Sequence, residues 1–213
     1  MLSADFLHLE KDVRMVNANA DLFHLDIMDG TFVPNISYGF PVVEAIAEIA
    51  EKPLDVHLMI VNPEKYAAKF ARAGAAMVSF HLEAVESDGK ADEILAEIRS
   101  AGAKAGLVIN PDIPVERLRG HLETADYFLI MSVFAGFGGQ KFIPETYDRI
   151  RTLRRYMDET GADRPVEVDG GVSKENVHAL CEAGADIFVA GSAIFRSEDP
   201  GDYIRQMRQL AVD

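Results

Sequence analysis

The chain has 213 residues, a formal net charge of −14, 48% hydrophobic and 26% charged residues. This length and balance predict a single globular domain spanning residues 1–213 with a sizeable core. The acidity argues against nucleic acid or an anionic membrane surface as partner, and an anionic substrate would need locally arranged donors.

Along the chain, apolar β-branched runs alternate with helical patterns. Met1-Leu2-Ser3 reads as a very short first strand, followed by strands near 22–27, 54–59, 76–81, 104–109, 127–132, 165–169 and 186–190. Helices are predicted near 8–19, 40–51, 63–72, 90–101, 114–120, 145–159, 174–183 and 200–210. Several strands carry apolar residues on both faces, as parallel strands covered on both sides do. Gly74, Gly102 and Gly184 stand where helices end before strands. Pro63, Pro114, Pro144 and Pro200 stand at or near helix starts, and Ser173 reads as an N-cap. Eight such units predict an α/β fold, a closed (β/α)₈ TIM barrel, with an open doubly wound sheet as the alternative. No apolar run is long enough to span a membrane, and no secretory signal is visible. A cytoplasmic location is the expectation. Cys181, the only cysteine, excludes an internal disulfide or thiolate cluster and reads as a core residue.

Polar groups interrupt the buried strands. His24 and Asp26 lie in Leu22-Phe23-His24-Leu25-Asp26-Ile27, and His57 lies in Leu54-Asp55-Val56-His57-Leu58-Met59. Residues two apart on a strand share a face, so His24, Asp26 and Met28 form one row and Asp55, His57 and Met59 another. Asp169 ends a third strand before Gly170-Gly171. A buried imidazole or carboxylate is costly unless it is paired or bound to metal. Each residue alone has an ordinary explanation, a hydrogen-bonded core histidine or a turn aspartate. Together, at strand ends, the two histidines and two aspartates suit a divalent metal such as zinc, iron(II), manganese or cobalt.

Glycine loops give the second signal. Gly136-Phe137-Gly138-Gly139-Gln140, Gly170-Gly171 and Gly191-Ser192 follow successive late strands. Successive N–H groups in such loops form an anion nest, and the last two barrel loops are the usual phosphate site. Backbone donors would hold a phosphate without lysine or arginine. Ser192 is expected to open a short helix facing it. His81 is expected to border the cavity as a supporting residue, and Glu167 needs a partner, with Lys104 the candidate. His8, His121, His178 and the charges of 145–159 read as solvated.

These strings, with Leu2-Ser3-Ala4-Asp5-Phe6, His24-Leu25-Asp26-Ile27-Met28-Asp29-Gly30, Phe32-Val33-Pro34-Asn35 and Ala190-Gly191-Ser192-Ala193-Ile194-Phe195, resemble the ribulose-phosphate 3-epimerase family along nearly the whole chain. The resemblance implies a metal-dependent 3-epimerase of the pentose phosphate pathway. Its substrate would be a phosphorylated ketose, D-ribulose 5-phosphate, exchanged with D-xylulose 5-phosphate. It implies one divalent cation on His24, Asp26, His57 and Asp169, with Asp26 and Asp169 as the acid/base pair. It implies substrate contacts from Ser3 and His57 and phosphate binding by the loops Gly136, Phe137, Gly138 and Gly139, Gly170 and Gly171, and Gly191 and Ser192. Met28, Met59 and Met131 would line the cavity, and a homo-oligomer is expected. Another ketose phosphate such as D-allulose 6-phosphate is the alternative substrate. A metal-dependent aldolase or a non-catalytic sugar-phosphate binder is a more distant reading. Val133-Phe134-Ala135 departs from the family pattern, which places an acidic or amide residue and a proline before the glycine, and the first strand has almost nothing before Ser3.

Overall fold

In the computed structural model, residues 1–212 are described, and seven parallel strands form one sheet in sequence order. They are β1 (Phe23–Met28), β2 (Leu54–Met59), β3 (Met77–His81), β4 (Lys104–Ile109), β5 (Tyr127–Met131), β6 (Val166–Asp169) and β7 (Ile187–Val189). The helices are α1 (Leu9–Asn19), α2 (Phe40–Ile49), α3 (Ala67–Arg72), α4 (Asp88–Ser100), α5 (Thr146–Thr160), α6 (Val177–Ala183), α7 (Ser192–Phe195) and α8 (Pro200–Val212). Among the described residues, no helix is long and apolar enough to cross a membrane.

Strand alternation builds two different interiors. Phe23, Leu25 and Ile27 of β1, Val56 and Leu58 of β2, Phe80 of β3 and Phe128 and Ile130 of β5 join the large apolar cluster that also takes in buried helix residues such as Val43, Ile94 and Leu153. Their neighbours in sequence form a second, polar set: His24, Asp26, Asp55, His57, Ser79, His81 and Glu167, all buried. Each strand therefore satisfies the helical shell with one face and lines the barrel with the other.

The sheet curls into a nearly closed barrel: His24 on β1 comes within 3.8 Å of Asp169 on β6. The expected eighth strand, Met1-Leu2-Ser3, is absent as a strand. Met1 N donates to His24 O (2.6 Å), which is one rung against β1. Ala4 N then donates to Met1 O (3.0 Å), closing a turn before a second rung can form. The segment fills the seam without extending the ladder, and no strand among the described residues joins β1 to β7.

Other elements differ in detail. The expected helix at 114–120 is a 3₁₀ helix, Val115–His121, and the one at 63–72 splits into a 3₁₀ turn, Pro63–Lys65, and α3. Ser173 does not cap α6. Asn176 holds that position, and its side chain accepts from Ser173 N (2.9 Å). Gly74, Gly102 and Gly184 do take the left-handed conformation that the helix ends require.

Candidate metal centre and active site

Register creates the centre. His24 stands beside Asp55, and Asp26 beside His57, so the sequence His-Leu-Asp on β1 meets Asp-Val-His on β2 in mirrored order. Each histidine has an aspartate as its neighbour on both its own strand and the next. Asp169 arrives from β6. One ligand atom each from His24, Asp26, His57 and Asp169 lies within 4.8 Å of all the others. His24 Nε2 is 3.5 Å from Asp26 Oδ1 and 3.8 Å from Asp169 Oδ2. His57 Nδ1 is 3.8 Å from Asp26 Oδ1 and 3.9 Å from Asp169 Oδ2. These separations are too long for hydrogen bonds. Both nitrogens are buried without a hydrogen-bond partner. Two orphaned imidazole nitrogens aimed at the same pair of carboxylates fit a divalent cation, since metal coordination satisfies all four groups at once.

The opposite edges of the rings are anchored. His24 Nδ1 meets Asp55 Oδ2 at 2.5 Å, and Asp55 Oδ1 accepts from Tyr127 Oη (3.0 Å). A carboxylate behind a ligand histidine fixes its tautomer and raises its basicity. Glu167 lies 3.4 Å from His24 Nδ1, so its neighbours are His24 and Asp55; Lys104, the candidate partner, is exposed. Ser132 supports the Asp169 backbone, donating from N (2.8 Å) and Oγ (2.9 Å) to its carbonyl.

The electrostatics separate otherwise similar groups. Burial opposes charge on His24, but Asp55 and Asp26 outweigh it and hold that imidazole well above its usual pKa. Burial pushes His57 down to about 4, so it is neutral near pH 7 with a lone pair to offer. Burial would raise Asp26, but the adjacent His24 and His57 imidazoles, His24 foremost, hold it well below the usual carboxylate range. Asp169 is pushed up, chiefly by burial, with the Asp26 charge adding to it against the pull of His24. Two carboxyl groups whose environments drive their pKa values apart are suited to opposite roles, one accepting a proton and one supplying it.

A cavity of about 830 Å³ opens over this floor. His24, Asp26 and Asp169 line it, as do Met28, Met59 and Met131. The methionines are buried, at 4%, 1% and 2% exposure, and form apolar wall on two sides. Three glycine loops reach its mouth. A Cβ on Gly138 or Gly191 would stand 3.4 or 3.3 Å from Ser3 Oγ, which places the Ser3 hydroxyl between two of the loops. Gly170 and Gly171 have φ of +118° and +63°, and added Cβ atoms would meet Val133 and the Phe142 backbone at 2.4 and 2.7 Å. Only glycine lets the third loop lie this close.

A family model for the ribulose-phosphate 3-epimerase family matches residues 1–195. The chain belongs to that family. It is 48% identical over 209 residues to the ribulose-phosphate 3-epimerase of a Synechocystis species, covering 98% of this chain and 90% of that one. It is 44% identical over 210 residues to the Escherichia coli enzyme of the same name, covering 98% and 92%. Among solved structures, 3-hexulose-6-phosphate synthase from Salmonella typhimurium aligns with a TM-score of 0.74 at 20% identity, over 97% of this chain and 93% of that one. Orotidine 5'-phosphate decarboxylase from Pyrococcus horikoshii aligns at 0.68 and 13%, over 98% and 97%. These two likenesses establish the barrel alone.

Within this epimerase family framework, several residues gain a place that the sequence reading did not give them. Asp55, Tyr127 and Ser132 support the centre. Asp55 was visible two residues before His57 on the same face, whereas Tyr127 and Ser132 carried no signal in an apolar strand. Arg196 lines the cavity at the glycine loops, with Nη1 3.9 Å from where a Gly139 Cβ would stand. It sits one helical turn after Ser192, the spacing that places two side chains on one face. His121 is buried and faces Asp92 Oδ1 at 2.9 Å rather than solvent, while His8 and His178 are exposed as expected. Arg149 is no free surface charge of α5. It donates to the carbonyls of Met131 (3.1 Å), Asn110 (2.7 Å) and Ile113 (3.1 Å), tying the ends of β4 and β5. Cys181 is half-buried. Phe134 is 51% exposed, and the loop it begins is held without a proline: Gln140 Nε2 donates to Phe134 O (2.6 Å) and Phe137 O (2.9 Å).

Proposed function

We propose that this chain interconverts D-ribulose 5-phosphate and D-xylulose 5-phosphate, with Asp26 and Asp169 as the proton carriers at C3. The observation that carries the reading is the pair of carboxyl groups, delivered by β1 and β6 to one cavity and shifted in opposite directions by their surroundings. Inversion at C3 without redox needs a proton taken from one face of the sugar and another returned on the opposite face. Asp26, held ionised, accepts the C3 proton. Asp169, which holds its proton more readily, supplies one from across the barrel. The roles exchange in the reverse direction, as microscopic reversibility requires.

His24, Asp26, His57 and Asp169 would hold the divalent cation. When bound, that ion supplies Lewis-acid polarisation of the C2 carbonyl and charge stabilisation next to C3. Zinc, iron(II), manganese and cobalt all suit two imidazoles and two carboxylates. Met28, Met59 and Met131 exclude water from the reacting carbons with a polarisable apolar wall. Backbone N–H groups of Gly138, Gly139, Gly171 and Ser192, with the Ser3 hydroxyl, anchor the phosphate end. In a chain of net charge −14, such local donors offset the long-range repulsion of an anionic substrate.

The test is exchange of the C3 proton with solvent deuterium, followed by NMR on D-ribulose 5-phosphate. Asp26→Asn and Asp169→Asn are each expected to abolish epimerisation while leaving the fold intact. Near-wild-type turnover in either variant would refute the two-base assignment. D-allulose 6-phosphate assayed in parallel decides the sugar length.

A further inference from the structure

His57 has a feature that its partner ligand lacks. His24 is backed directly by the Asp55 carboxylate, whereas behind His57 stands another histidine. His57 Nε2 lies 2.9 Å from His81 Nε2, with the rings stacked at 24° and 5.0 Å between centroids. Both residues are 0% exposed, and Phe32 packs against His81 with 4.8 Å between ring centroids. No solvent reaches this contact, so the two nitrogens must satisfy each other. One donates and the other accepts.

Glu83 decides the direction. His81 Nδ1 is 3.0 Å from Glu83 Oε1, and the same oxygen accepts from Asn110 N at 3.0 Å. An oxygen that already accepts a backbone N–H accepts from His81 as well, so His81 Nδ1 carries a hydrogen. With its ring hydrogen on Nδ1, His81 has its lone pair on Nε2 and accepts from His57. His57 thus carries its hydrogen on Nε2, and its Nδ1 is left bare. That Nδ1 is the buried, unpartnered atom facing Asp26 and Asp169. The opposite tautomer would turn an N–H toward the ligand cluster and leave two acceptor lone pairs facing each other 2.9 Å apart behind it.

We propose that His81, oriented by Glu83, is a positioning residue that fixes the His57 tautomer so that Nδ1 presents its lone pair to a divalent cation. The inference rests on the metal-dependent reading given above. It assigns the strand-end pair His81 and Glu83 a role toward the metal through His57, with no contact to the sugar. His24 and His57 then use the same device at two lengths, one with a carboxylate adjacent and one with a histidine interposed.

Two measurements test it. Long-range ¹H–¹⁵N imidazole spectra of the chelator-treated protein read which His57 nitrogen bears hydrogen. Competition between the protein and a chromophoric chelator reads zinc affinity. Wild type is expected to show His57 protonated on Nε2. His81→Phe keeps a ring but removes the acceptor; it should mix the tautomers and weaken zinc binding by about tenfold to a hundredfold, the usual effect of losing a partner behind a ligand histidine. His81→Gln, whose amide carries one acceptor and one donor, should lie closer to wild type than to His81→Phe. Wild-type zinc affinity with an unchanged tautomer in His81→Phe overturns the proposal. So does His57 Nδ1–H in the wild type, or a glutamine variant as impaired as the phenylalanine one. If His81→Phe does not fold, the wild-type tautomer and the glutamine variant still decide. A wild-type protein that binds no divalent metal overturns the metal reading itself, which is a separate failure.

Discussion

Gly106→Ala is a sharp test of how the barrel interior supports the centre. Gly106 on β4 stands beside Tyr127 on β5. A Cβ there would lie 2.4 Å from Tyr127 Cζ and 2.6 and 2.7 Å from Cε1 and Cε2. Ordinary carbon contacts lie near 3.5–4.0 Å, so the ring must retreat by about 1 Å. It has little room: Tyr127 is 1% exposed, and its hydroxyl donates to Asp55 Oδ1 at 3.0 Å. Forcing one extra carbon into a packed core costs about 1–3 kcal/mol. Breaking the hydrogen bond to a buried carboxylate adds about 1.5–3 kcal/mol. At roughly 2–4 °C per kcal/mol for a domain of this size, the melting temperature should fall by at least about 5 °C. Asp55 also orients His24, so zinc affinity should fall about tenfold, at the lower end for an outer partner of a ligand histidine. Thermal unfolding of the chelator-treated protein and zinc competition give the two readouts. Replacing Tyr127 by leucine in the same chain removes the clashing ring atoms, so the double variant should be less destabilised than the sum of its parts. A Gly106→Ala protein with unchanged melting temperature and zinc affinity would refute the steric argument and the Tyr127–Asp55–His24 chain built on it.

Two further outcomes are expected. Arg196→Ala should raise KM for the sugar phosphate and the Ki of inorganic phosphate by about tenfold, corresponding to about 1.4 kcal/mol for one charged hydrogen bond; kcat should change less, and an unchanged Ki would remove Arg196 from the phosphate site. Asp29 accepts from the N–H groups of Thr31, Phe32 and Val61, each at 2.8 Å, and these bonds lower its pKa although burial works to raise it. A depressed carboxylate contributes stability above its unfolded pKa and loses it as pH falls through the folded value. Asp29→Ala should therefore cost about 1–2 kcal/mol near pH 7 in urea unfolding. The gap from wild type should close as pH drops below about 4, and a gap independent of pH would show that the carboxylate charge is not the stabilising element.

Much of the centre was legible because strand chemistry is local. A histidine and an aspartate two apart in a buried strand must share a face, and a polar face inside an apolar run demands a partner or a metal. His24, Asp26, His57 and Asp169 could thus be named from strand periodicity and family resemblance. The alternation of strand and helix likewise specified a parallel barrel, since each strand had to be covered on its outer face. Asp55 was half-visible, sharing a row with His57 but showing no reason to differ from a core partner.

Long-range registry decided the rest. Only the pairing of β1 with β2 sets His24 against Asp55, and only the β4–β5 register places Gly106 where the Tyr127 ring needs space. Glu167 could not be paired from sequence, because its neighbours come from two strands more than a hundred residues earlier. The first strand failed for a physical reason too: three residues offer one rung, and the turn from Ala4 to Met1 takes the carbonyl that a ladder would have used. The sequence by itself determined which chemistries are present and which face each one occupies. Tertiary structure determined which of them meet, because hydrogen-bond direction, tautomer and pKa depend on neighbours that the chain brings together only by folding.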